Sequence, residues 1–175
     1  MNVILEDYEI NEDNTVRFTL GKYVDNPLIV FGINPSMATI VKNDPTISIV
    51  ERIAKKRGYD GYLMLNIYPV RATKIDRHFD KTCNEEVSNS NLEIISSRIH
   101  ERSEIVAAWG THIGDRDYFI RILSEVNKIV KSKRANWVVL SITKKGHPHH
   151  PTRLAYEKMT FERFDMDAYI NRFTK

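Results

Sequence analysis

Three observations predict a three-layer α/β/α sandwich. Two unbroken apolar runs, residues 28–31 and 62–65, have the length and composition of strands buried on both faces of a parallel sheet. Segments of helical spacing alternate with such runs along the chain, the pattern of an α/β fold. Asparagines then close the runs, Asn34 beyond the first and Asn66 at the end of the second. Parallel strands bring their carboxyl ends to one edge, and open α/β sheets bind ligands at that edge. The expected sheet is four-stranded and mainly parallel, with an antiparallel hairpin at its N-terminal edge.

Taken in order, residues 2–21 read as the hairpin, with residues 16–20 alternating apolar and polar after an Asn-Glu-Asp-Asn turn at 11–14. The run 28–31 is the central strand. It stops at Gly32-Ile33-Asn34-Pro35-Ser36, where glycine permits close backbone approach and proline ends the ladder. Asp44 and Pro45 form a helix start signal, and the helix runs to about Arg57 with Gly58 as its stop. A second buried strand covers 62–67. The segment 68–83 has no periodicity and carries Arg71, Lys74, Arg77, His78 and Lys81.

A helix is expected from Asn84 to His100 with Val87, Leu92, Ile95 and Ile99 inward, then a strand over 104–109 ending in Trp-Gly-Thr-His. Helical spacing returns over 115–131, followed by a strand over 137–141. The loop 143–151, Thr-Lys-Lys-Gly-His-Pro-His-His-Pro, is the densest in basic side chains and prolines. A last helix is expected over 166–173.

The 175 residues suit one domain able to bury a core without a disulfide or metal staple. The single cysteine, Cys83, excludes an internal disulfide and a cysteine-rich zinc site. Acids stand near the N-terminus where a signal peptide carries bases, and no apolar run approaches the roughly 20 residues of a membrane helix. A soluble, cytoplasmic protein with no membrane partner is expected. A net charge of +3 from 26 basic and 23 acidic side chains leaves any nucleic-acid surface to local clustering.

If the strand ends converge, they bring together Asn34, Asn66, residues 109–112 and residues 147–150. A carboxamide offers a donor and an acceptor to a nucleobase edge, an imidazole polarises a carbonyl, and basic side chains hold phosphate. Arg71, Lys144, Lys145 and Arg153 are the candidate phosphate or nucleic-acid contacts. No carboxylate stands at these ends. His147, His149 and His150, with His112, also suggest metal ligands, but the prolines splay the rings and no acid completes a facial triad. No metal and no cofactor are therefore expected.

The residues Gly32-Ile33-Asn34-Pro35-Ser36, Asp44-Pro45-Thr46, Leu65-Asn66, Arg71-Ala72-Thr73, Ala108-Trp109-Gly110 and Gly146-His147-Pro148-His149-His150-Pro151 together resemble the domain-of-unknown-function family 1643, over about residues 28–154. More distantly, the same stations resemble the uracil-DNA glycosylase superfamily. Gly32-Ile33-Asn34-Pro35 is similar to the first motif of its mismatch-specific branch, and the resemblance implies that Asn34 positions the attacking water. The run 61–72 is similar to the strand whose asparagine reads uracil, which implies Asn66 as base reader. Ser36 and Tyr68 join it as base-binding candidates, Tyr68 as the nearest aromatic for stacking. His147-Pro148 resembles the second motif, whose histidine polarises the pyrimidine carbonyl, and His150-Pro151 offers the same dipeptide. The first-motif aspartate of another branch has no counterpart, and Ser36 replaces a glycine. Arg153 or Leu154 is left for the wedge that fills the gap behind a flipped base. The implied activity is hydrolysis of an N-glycosidic bond in DNA or a nucleotide. The alternative is a binding module that has the pocket without the chemistry.

Overall fold

The computed structural model describes residues 4–36, 45–72 and 79–173. The chain opens with β1 (Leu5–Ile10) and β2 (Arg17–Tyr23), an antiparallel hairpin with Leu5 opposite Tyr23. Then come β3 (Pro27–Gly32), α1 (Pro45–Lys56) and β4 (Gly61–Asn66). Helix α2 (Glu85–Arg98), β5 (Glu104–Ala107), α3 (Asp117–Ser132) and β6 (Asn136–Val139) continue the alternation. The chain ends in β7 (Glu162–Arg163) and α4 (Met166–Asn171).

These strands form one mixed sheet in the order β1-β2-β4-β3-β5-β6-β7. The block β4-β3-β5-β6 is parallel, while β2 pairs antiparallel with β4 and β7 with β6. The sheet is thus larger than the four strands and hairpin expected from the sequence. The hairpin extends it through β4, and β7 closes the other edge. Two exposed residues, Glu162 and Arg163, carry no alternation by which a strand can be read in advance.

Strand β3 is central because both its faces are apolar. Leu28 and Val30 pack toward α1 with Ile47, Val50 and Ile53, whereas Ile29 and Phe31 pack toward α2 and α3 with Ile95, Phe119 and Leu123. Burying each such side chain contributes about 1.5–3 kcal/mol. Helices therefore cover the sheet on both faces. Phe31 meets Trp137 edge to face, with ring centroids 5.3 Å apart, which ties β3 to β6.

Several boundaries move. Helix α3 starts at Asp117 rather than Asp115, because His112–Gly114 first make a 3-10 turn. Helix α4 ends at Asn171, two residues early, with Asp165 capping it through the Ala168 amide at 2.9 Å. The expected cap Asp44 and the basic residues Lys74, Arg77 and His78 lie outside the described residues. In α2, Asn84 caps as expected, accepting from the Val87 amide at 3.1 Å. Its inward face differs. Ile95 and Ile99 are buried, but Ser88 and Asn91 take the other interior positions, and Val87 and Leu92 are only half-buried.

Candidate functional site

The four parallel strands end at one edge, and the turns beyond them enclose a cleft of about 310 Å³. Asn34 and Ser36 reach it from the turn after β3, Asn66 from the end of β4, and Trp109 and His112 from the segment after β5. His150 completes it from the loop after β6, and Arg17 enters from β2.

Asn66 is 2% exposed, and its Nδ2 has no hydrogen-bond partner among the described residues. Leaving a buried amide donor unsatisfied costs about 1–3 kcal/mol, a penalty that a ligand acceptor removes. Two features hold Asn66 in place. Asn91 Nδ2 on α2 donates to the carbonyl oxygens of Asn66 and Ile67 at 3.0 and 3.2 Å, fixing the backbone at the strand end. Gly32 stands beside Asn66 in the parallel register, and a Cβ at Gly32 would come 2.8 Å from Asn66 Oδ1. Only glycine leaves room for the carboxamide there.

Asn34 is half-buried and its Nδ2 donates to the Ala72 carbonyl at 2.9 Å. With the nitrogen committed to that loop, Oδ1 is the polar atom left for a ligand or water. Arg71 clamps the same pair of turns from behind, donating to the Ser36 carbonyl and the Tyr8 hydroxyl, both at 2.8 Å. Its guanidinium is built into the scaffold and does not line the cleft.

Gly110, at φ +70°, turns the chain after β5, and its N–H donates to the Pro148 carbonyl at 3.0 Å. That contact seats the His-Pro loop over the cleft. His150 Nδ1 accepts from the Thr152 amide at 3.4 Å and lies 2.8 Å from the Thr152 hydroxyl. A neutral ring that accepts at Nδ1 carries its proton on Nε2, so His150 brings a donor. His112 Nδ1 lies 2.6 Å from Asp115 Oδ2. A carboxylate only accepts, so this ring donates through Nδ1, and its neutral form has the lone pair on Nε2.

His147, the other candidate electrophile, does not line the cleft. Its ring packs against Tyr169 and Phe173, and its Nδ1 is 2.8 Å from the Tyr169 hydroxyl. Desolvation, with Arg172 and Lys145 nearby, holds its pKa below the ordinary imidazole value. Tyr68 is also elsewhere. It is fully buried beside Phe79, Tyr118 and Phe119, its hydroxyl donates to Asp80 at 3.1 Å and accepts from the Asn84 amide, and burial pushes its pKa up to about 12. Trp109, 1% exposed, is the aromatic in the cleft wall.

Lys144, Lys145 and Arg153 are exposed and line no part of the cleft. The carbonyls of Lys145 and Gly146 accept from Arg172, which pins that turn to the end of α4. Leu154 packs on the α1 side of the core. A larger depression, about 460 Å³, opens at the opposite edge of the sheet near Asp25, Tyr59 and Glu104. It holds no buried polar atom left unsatisfied as Asn66 Nδ2 is, so the smaller cleft is the better candidate site. Among the described residues, no three His, Cys, Asp or Glu side chains gather as a metal-binding group, and no helix is long and apolar enough to cross a membrane.

Fold and cleft together define an α/β protein with a ligand-sized, amide- and imidazole-lined site at the strand ends. The family model described as "Protein of unknown function (DUF1643)" matches residues 17–152, and the chain belongs to that family. The match runs from β2 to the His-Pro loop and contains every cleft residue named above. No curated protein and no solved structure matches the chain.

Proposed function

We propose that the cleft binds a nucleobase, in DNA or in a nucleotide, and that the protein hydrolyses its N-glycosidic bond in the cytoplasm on a scaffold of the uracil-DNA glycosylase kind. The observation that carries this reading is the buried, unsatisfied Asn66 Nδ2 in a cleft shared with Asn34 and His150. Asn66 donates to an acceptor on the base edge. Asn34 Oδ1 accepts from a water and orients it toward the anomeric carbon. His150, through Nε2–H, stabilises the negative charge that develops on the departing base. The position of His150 in the cleft favours it over His147 for that role.

A second reading has one observation in its favour. No Asp or Glu lines the cleft among the described residues, so a binding module without hydrolysis accounts for the same pocket.

Base release measured by mass spectrometry separates the two. The substrates are single- and double-stranded DNAs carrying uracil, mismatched or modified bases, together with free nucleotides. Release by the wild type that Asn34→Ala lowers by about 100-fold or more supports the glycosidase, in line with loss of a positioned water. A ligand-induced rise in melting temperature with no base released identifies the binder.

A further inference from the structure

Among the described residues no carboxylate lines the cleft, but one acid acts on it indirectly. Asp115, at the end of the 3-10 turn 112–114, accepts from His112 Nδ1 at 2.6 Å, and His112 lines the cleft with Asn34. The histidine side chain is 62% exposed, and its Nε2 makes no hydrogen bond among the described residues. An acid behind an imidazole fixes ring and tautomer and stabilises the imidazolium once the ring takes a proton. An exposed ion pair of this kind contributes little to stability. Folding alone therefore gives weak reason to hold this ring against the cleft.

We propose that His112, oriented by Asp115, is the general base of the reaction, a role that rests on the glycosidase reading above. The oxygen of the water held by Asn34 attacks the anomeric carbon, and the glycosidic bond breaks with its electron pair leaving on the base. The water proton passes to His112 Nε2. The departing base, hydrogen-bonded to His150, leaves as an anion and takes its proton from solvent. The imidazolium returns its proton to water, so atoms and charge balance with water as the sole co-reactant.

Other charges bear on this ring. Arg17 from β2 shares the cleft and opposes a positive charge on His112, whereas His150 from the loop after β6 shares it as a neutral ring. Asp115 favours that charge. Arg116, next in the chain, is turned away, donating to the carbonyls of Asp80, Phe79 and Asp115.

The test is kcat/KM for base release as a function of pH in the wild type, His112→Gln, Asp115→Asn and His112→Ala, with His100→Gln as control. His100 is exposed at the opposite edge, by the larger depression. The expected result is a fall of about 100-fold or more in His112→Gln, within the usual range for general-base catalysis. The low-pH limb of the wild type disappears in that variant. Asp115→Asn lowers the rate as well, because the ring loses the acceptor that fixes its orientation and tautomer. Added imidazole restores part of the rate in His112→Ala, which a structural role does not predict. Unchanged melting temperatures exclude misfolding as the cause. Release that Asn34→Ala abolishes but His112→Gln retains overturns the role of His112 and leaves the glycosidase standing. A wild type that releases no base overturns both.

Discussion

Gly32 and Asn66 are one unit at the residue scale. The β3–β4 register sets them side by side, and the missing Cβ of one is the space occupied by the carboxamide of the other. In Gly32→Ala the new methyl must displace Asn66 Oδ1, since 2.8 Å is inside van der Waals contact. The displacement turns the Asn66 amide from its position in the cleft. Melting-temperature shifts with the same panel of bases and nucleotides should shrink, corresponding to about a tenfold loss of affinity or roughly 1.4 kcal/mol. A variant that shifts as far as the wild type would sever Asn66 from recognition. Both residues were legible in the sequence, Gly32 as a tight strand end and Asn66 as a polar residue closing an apolar run. Their mutual contact was not, because register across a parallel pair depends on how the crossover between them packs.

The clearest gap between sequence and structure at the scale of elements is α2. Its buried stripe mixes Ser88 and Asn91 with Ile95, so hydrophobic spacing points to Val87 and Leu92, which are only half-buried. Asn91 is inside for a polar reason, as the donor to the last carbonyl of β4 and to the one after it. A periodicity argument counts apolar residues and is blind to a buried amide that serves a strand end. Asn91→Ala removes a donor shared by two carbonyl oxygens. It should cost about 1–3 kcal/mol of stability, read as a lower denaturation midpoint in urea with an unchanged slope. Ligand-induced stabilisation should weaken as well, because Asn66 loses its anchor. The strand-end turns had the reverse problem. Asn34 and His150 could be picked out by residue type, whereas His147 and Tyr68, equally suggestive in the sequence, are engaged elsewhere. The His-Pro dipeptide occurs twice within five residues, and only the closed loop decides which ring faces the cleft.

At the scale of the whole molecule the last edge strand and the terminal helix come from chain that the sequence defines weakly, residues 153–173. Helix α4 packs Tyr169 and Ile170 into the core, and the Tyr169 hydroxyl accepts from Trp109 Nε1 at 3.2 Å. The same hydroxyl lies 2.8 Å from His147 Nδ1. Having accepted from the indole, it keeps its own proton, which it donates to Nδ1 when His147 is neutral. Cleft wall, terminal helix and His-Pro loop are thereby joined through one oxygen, to which a neutral His147 offers an acceptor and a charged ring a second donor. Its pKa is lowered from 6.5 by burial, then by Arg172 and Lys145, so folding favours the unprotonated ring. Between the folded and unfolded pKa values the unfolded chain binds more protons, and stability rises with pH across that interval. This contribution is complete above the unfolded value of 6.5 and is lost as pH falls through the depressed folded value. Melting temperatures of wild type and His147→Asn, followed from pH 8 to pH 4, should therefore converge at the acid end, where the wild-type advantage disappears. An advantage for the wild type that persists unchanged at low pH would mean that the link between α4 and the loop tolerates a charged ring, and that the neutral Trp109–Tyr169–His147 chain is not what joins them.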